Sequence, residues 1–175
     1  MGMKISINNS GLRLSLFIVS LIFCCTFCKQ EKRPEDFAFS ACTGLAGKMK
    51  VDTYNREYSQ QFITETGEVK DTIINFTFSE NELDQIYRIL VKYDIASYPN
   101  PYIPKHEYQI LPDDIYSLDY RFNGNRYKVV WDTFTSAQDK KSKRLRAVLD
   151  FIFSIVKEDP RVEEIQRTSK QIQSL

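Results

Sequence analysis

Residues 116–122 read Tyr116-Ser117-Leu118-Asp119-Tyr120-Arg121-Phe122, and residues 127–132 read Tyr127-Lys128-Val129-Val130-Trp131-Asp132. In the first run Tyr116, Leu118, Tyr120 and Phe122 alternate with Ser117, Asp119 and Arg121. In the second, Tyr127, Val129 and Trp131 alternate with Lys128, Val130 and Asp132. A period of two puts each apolar set on one side of an extended strand. Between them Asn123-Gly124-Asn125 supplies residues that tolerate the positive φ of a tight hairpin turn. The stretch therefore reads as a β-hairpin with one buried aromatic face. Trp131 shares that face with Tyr127 and Val129, which predicts a buried indole.

Working outward, a polar loop over 133–138 leads to a helix of about residues 139–157. Its buried stripe is Leu145, Val148, Leu149, Ile152, Ile155 and Val156. Lys140, Lys141, Lys143, Arg144 and Arg146 crowd its start. That is an unfavourable sign at the positive end of a helix, and a solvated face accounts for them better than an anion site. Asp159 and Pro160 open a last, mostly polar helix over 161–173. Upstream of the hairpin, Ser79-Glu80-Asn81-Glu82 is a capping box for a helix with Leu83, Ile86, Tyr87, Leu90 and Val91 on one stripe, ending near 94–97. Between that helix and the hairpin lies a proline-rich loop, 98–112, whose fixed φ angles shape it and keep it out of the sheet. Earlier still, Phe37, Phe39 and Ala41 alternate as a strand. Residues 51–64 read as a second strand, Thr66-Gly67-Glu68 as a turn, and 71–78 as a third strand with Ile74, Phe76 and Phe78 on one face. Hairpins rather than βαβ units dominate. The expected class is α+β: an antiparallel sheet of about four to five strands with two main helices on one face.

The N-terminus has a different character. Lys4 and Arg13 supply a positive n-region to a strongly apolar run, Leu12–Phe27, that closes on Cys24, Cys25 and Cys28. The run is short for a bilayer span of about 20 residues and suits the h-region of a secretory signal. A cysteine at its end resembles a bacterial lipoprotein signal, in which that thiol is acylated and the chain is cut just before it. Cys25 has Ile22 three residues before it and Cys24 just before it, which suits the pattern. Cys28 is followed at once by Lys29-Gln30-Glu31-Lys32, a charged start like that of many mature lipoproteins. A simple cleaved signal or a single N-terminal membrane anchor are the alternatives. The organisation expected is a signal over 1–27 with cleavage before Cys25 or Cys28, a charged tether over 28–36, and one domain over 37–175. The resemblance implies a protein held in the cell envelope, on a bacterial membrane, by its lipid.

Composition narrows the function. Removing a signal that holds Lys4, Arg13 and no acid takes the formal charge from +1 to −1. That balance offers no basic face for nucleic acid, and no strong attraction to anionic lipid beyond the acyl chains. If Cys25 carries the lipid, Cys28 and Cys42 remain and have the option of pairing in an oxidising compartment. No metal site or cofactor is expected: the chain has one histidine, no H-E-x-x-H and no C-x-x-C pair in the domain.

Catalytic motifs are equally sparse. His106, the single histidine, has Glu107 beside it and Asp113-Asp114 nearby, but no nucleophile in a Gly-x-Ser-x-Gly setting. An exposed loop histidine is the better reading. Two adjacent carboxylates are too few oxygens for Ca²⁺. The turn over 40–47, with Gly44 and Gly47, lacks the Lys-Ser/Thr ending of a P-loop. No catalytic residue is assigned.

The segments Ser40-Ala41-Cys42-Thr43-Gly44-Leu45-Ala46-Gly47, Leu83-Asp84-Gln85-Ile86, Asp94-Ile95-Ala96-Ser97-Tyr98-Pro99, Asp114-Ile115-Tyr116-Ser117-Leu118-Asp119-Tyr120 and Tyr127-Lys128-Val129-Val130-Trp131-Asp132, with a closing helix, follow one another over 37–156. This layout resembles the emfourin family, small bacterial proteins that include inhibitors of thermolysin-like (M4) metallopeptidases. The resemblance implies a non-enzymatic domain that binds a protein partner, a peptidase or another envelope component. The 40–47 turn (Ser40, Gly44, Gly47) and the 98–112 loop (Tyr102, Ile103, His106) would form the contact. A structural or assembly lipoprotein of the envelope is the alternative.

Overall fold

In the computed structural model, Ile115–Phe122 and Asn125–Asp132 pair as an antiparallel hairpin, with Leu118 opposite Val129 and Tyr120 opposite Tyr127. Asn123 and Gly124 both take positive φ in the turn. The structure describes residues 32–44, 48–63, 66–102, 115–132 and 139–173. The strands are β1 (Ala38–Thr43), β2 (Met49–Asp52), β3 (Glu57–Ile63), β4 (Val69–Asn75), β5 (Ile115–Phe122) and β6 (Asn125–Asp132). The helices are α1 (Glu80–Lys92), α2 (Lys140–Lys157) and α3 (Pro160–Gln173), with a 3-10 turn at Ile95–Ser97. All six strands form one antiparallel sheet in the order β4-β3-β2-β1-β5-β6. The class is α+β, as the patterning predicts.

The sheet has one strand more than expected because residues 51–64 are not one strand. The chain turns between β2 and β3 over Thr53, Tyr54, Asn55 and Arg56, without glycine or proline. The carboxylate of Asp52 makes the turn. Its Oδ1 accepts from the N–H groups of Tyr54 and Asn55 at 2.9 and 3.2 Å, and its Oδ2 meets Lys50 Nζ at 2.8 Å. Burial pushes this carboxyl up, but Lys50 and the two N–H groups outweigh it and hold it below its ordinary range. Arg56 closes the turn in the left-handed region, φ 56°. Side chains rather than special residues make this turn, so composition did not announce it. The third predicted strand is also shifted: β4 spans Val69–Asn75, and Phe76 lies past its end.

One face of the sheet carries the core. Phe39, Ala41, Val51, Tyr58, Leu118, Tyr120 and Val129 are all at most 1% exposed. They pack against Ile86, Tyr87 and Leu90 of α1 and Leu145, Val148, Leu149 and Ile152 of α2. The hairpin's aromatic face is a ring stack, with Tyr120, Phe122 and Tyr127 centroids 5.1–6.0 Å apart. The Trp131 side chain lies outside the described residues. The predicted capping box is present: Ser79 Oγ accepts from Glu82 N–H at 3.3 Å, and Glu82 Oε2 accepts from Ser79 N–H at 2.6 Å. α3 is less peripheral than its composition implies, since Val162 is fully buried and Ile165 packs on the core. The basic start of α2 has a physical role too. Lys141 sits over the Tyr98 ring, Arg144 over Tyr93 and Arg146 over Tyr116, at 4.8, 5.6 and 5.9 Å.

Residues 33–36 belong to the compact unit Arg33–Leu175 and not to a free tether. Arg33 pairs with Glu80 and, at 2.7 Å, with Asp84 of α1. Asp36 accepts from the N–H groups of Asn123 and Gly124 at 2.8 and 2.7 Å, clamping the start of this unit to the β5–β6 turn. No helix among the described residues is long and apolar enough to cross a membrane.

Candidate functional site

Of the residues picked out by sequence, Ser40, Gly44 and Tyr102 lie among the described residues. Ser40 lies on β1 with Asp52 of β2 and Asp119 of β5 as its cross-strand partners, and it faces away from the core. Gly44 follows β1 with φ +87°, and a Cβ there would meet Met49 Cε at 3.2 Å, so it is a turn glycine under tight packing. Tyr102 is not an exposed contact residue. It is 6% exposed, its N–H donates to Val130 O at 2.9 Å, and its hydroxyl donates to Asp139 Oδ2 at 2.5 Å. The loop's tyrosine is a core residue: its ring packs beside Tyr98 and its hydroxyl bonds Asp139, the N-cap of α2. Gly47, Ile103, His106, Cys25 and Cys28 lie outside the described residues. Cys42 is a free thiol.

The stronger site is one that the sequence did not indicate, the free edge of β4. The β4 strand ends the sheet order, and among the described residues its one strand partner is β3. The phase of the ladder follows from two bonds. Phe76 N–H donates to Arg56 O at 2.9 Å on the β4 side of β3, and Gln61 N–H donates to Lys48 O at 2.8 Å on the β2 side. Antiparallel residues bond to alternate neighbours. So Lys70, Thr72 and Ile74 spend their backbone groups on β3, while Asp71 and Ile73, with Val69 and Asn75, direct theirs at the open edge. Among the described residues no backbone group answers them.

The side chains along this edge are also unusual. Val69 and Ile73 are 60% and 61% exposed on the face away from the core, far above the other aliphatics named so far. Asp71 lies between them on the same face and accepts from Gln61 Nε2 at 3.0 Å. On the core side, a groove of about 330 Å³ separates β4 from α3, lined by Phe62, Thr72 and Ile74 of the sheet and by Arg161, Glu164 and Ile165 of the helix. Arg161 is already paired with Asp159 at 2.6 Å, which holds the Asp159 carboxyl below its usual range. The groove exists because α3 packs over β3 and leaves the next strand partly uncovered.

The opposite edge is handled differently. On β6 the Tyr102 N–H occupies Val130 O. Natural sheets blunt their edges with such covers, with charges or with proline. The seven residues of β4 have no proline, one Lys and one Asp. A second cleft, about 370 Å³, opens beside Phe37, Phe76, Phe78 and Arg56 at the start of α1. Its Arg33 is consumed by Glu80 and Asp84, which leaves it with less binding chemistry than the β4 edge.

No protein-family model matches this chain, and no curated protein matches it either.

Proposed function

We propose that this is a lipid-anchored, non-enzymatic protein of the bacterial cell envelope whose α+β domain binds a protein partner. The observation that carries the binding role is the bare β4 edge: unanswered backbone groups, two aliphatics about three-fifths exposed, and a groove alongside. An exposed, flat, apolar edge is an aggregation hazard unless something covers it. The order of charge, apolar run and cysteines over residues 4–28 supports the anchor. A thermolysin-like peptidase, on the emfourin-like layout, and a component of the envelope machinery are the two partner classes.

The anchor is tested by feeding labelled palmitate to cells making the full chain. Label should enter the protein, and Cys25→Ala or Cys28→Ala should abolish it. Label that survives the combined replacement of Cys24, Cys25 and Cys28 overturns the anchor. The partner is tested with a photo-crosslinking residue at position 73, against a control at Val91, an exposed position on α1. One discrete adduct from position 73 and none from position 91 is expected. A peptidase in that adduct selects the inhibitor role, an envelope component the assembly role, and no adduct removes β4 as the partner surface.

A further inference from the structure

We propose that the β4 edge takes an extended peptide segment of the partner as a seventh, antiparallel strand, with alternate apolar side chains in the α3 groove and a basic side chain against Asp71. The inference rests on the binding role above and names the chemistry of the ligand. Strand addition draws affinity from main-chain hydrogen bonds and specificity from pockets for alternate side chains. Both parts are on the β4 edge. The outward backbone groups of Asp71 and Ile73 supply the bonds, and the groove floored by Phe62, Ile74 and Ile165 supplies the pocket.

Charge on the open face and apolar lining in the groove together set which side of the peptide is basic. Asp71 faces the open side, accepts from Gln61, and has no cation paired with it among the described residues. Lys70, the neighbouring cation, has the opposite strand parity and belongs to the groove side. A lysine or arginine is therefore favoured on the open side, where its stem also covers Val69 or Ile73, while the groove, with Phe62, Ile74 and Ile165 in its lining, favours the apolar side chains. A second copy of the chain is the weaker occupant. Seven residues give an edge about 24 Å long, and with a sheet about 10 Å thick the contact is about 240 Å². That is far short of the roughly 800 Å² per partner of a stable dimer. A slim peptide needs no such area and reaches the groove as well.

The phase of the edge gives a test on the unaltered protein. The probe is a fluorescent nonapeptide, Val and Lys alternating, read by anisotropy against the full chain in detergent. Residues opposite Asp71 and Ile73 share their open face, so the peptide's lysines carry the N–H groups that meet β4. N-methylation of the lysines should abolish binding, and N-methylation of the valines should leave it within about twofold, since each lost bond accounts for several-fold in affinity. The Ile73→Pro variant removes an outward N–H without touching the β3 ladder and should weaken binding about tenfold. Asp71→Asn should weaken it about threefold. Equal tolerance of both methylated peptides, or the reverse preference, overturns strand addition. So does a dimer in sedimentation that Ile73→Pro dissolves, because the occupant is then a second copy. If the peptide fails while position 73 still crosslinks a discrete partner, the partner role stands and the strand-addition inference falls. Failure of both removes the two together.

Discussion

The hydroxyl of Tyr102 donates to Oδ2 of Asp139 at 2.5 Å, joining residues 37 apart in the chain. The acceptor is the N-cap of α2, whose other carboxylate oxygen takes the Ser142 N–H at 2.8 Å. One bond thus fixes the end of the segment after α1 to the start of the helix that covers the sheet.

Removing that bond should be felt in stability. Tyr102→Phe leaves a half-buried carboxylate one donor short and should cost about 1–2 kcal/mol. Tyr102→Ser also empties the ring's place against Tyr98 and should cost about 3–5 kcal/mol. Urea midpoints with an unchanged m-value would check both. A serine variant as stable as the parent would put Tyr102 back on the surface.

The same pair predicts behaviour in alkali. Burial, with the Asp139 acceptor adding to it, pushes the Tyr102 phenol up to about 12. An unfolded tyrosine titrates near ~10. The folded value is the higher one, so the stabilisation is complete below about pH 10 and is lost as pH rises toward about 12. The urea midpoint gap between parent and Tyr102→Phe should narrow over that window. A gap that widens there contradicts the assignment.

Asp36 predicts the acid side. The Gly124 N–H, then the Asn123 N–H and the charge of Arg121, hold its carboxyl below the ordinary range against a smaller opposing effect of burial. The folded value is the lower one, so its contribution is present above the unfolded value of ~3.9 and disappears as pH falls below it. Asp36→Ala should unfold at lower urea than the parent near neutrality and converge with it in acid. Parallel curves down to the lowest pH would mean that the carboxylate does no clamping.

Ser79→Ala should cost about 1 kcal/mol, the usual value of an N-cap. Loss of the cap exposes the first N–H groups of α1, so hydrogen exchange should rise at Glu82 and Leu83 before the rest of the helix.

The hairpin over 116–132 and the start of α1 were legible because both write their geometry in side chains close in sequence: alternation around Asn123-Gly124, and Ser79 three residues before Glu82. The β2–β3 turn was illegible because Asp52 makes it by carboxylate bonds, a role that any Asp in a strand pattern conceals. Tyr102 read as surface because its neighbours are prolines, whereas its burial comes from Asp139, far along the chain. The β4 edge was out of reach for a different reason. Val69 and Ile73 look like ordinary strand residues, and only the sheet order leaves them, among the described residues, without a strand beyond them.

That order has a mechanical consequence. The first strand of the domain is an inner one, bonded to β2 on one side and β5 on the other. If the chain is tethered to a membrane and held elsewhere by a partner, tension enters at residue 33. It meets Arg33 against Glu80 and Asp84, then Asp36 against Gly124, and only then β1. Pulled along its length, β1 must shear two hydrogen-bond ladders at once rather than unzip one. A domain wired this way resists load applied at its first strand, and a pulling experiment from residue 33 should register a higher rupture force than one that peels β6 from the sheet's outer margin.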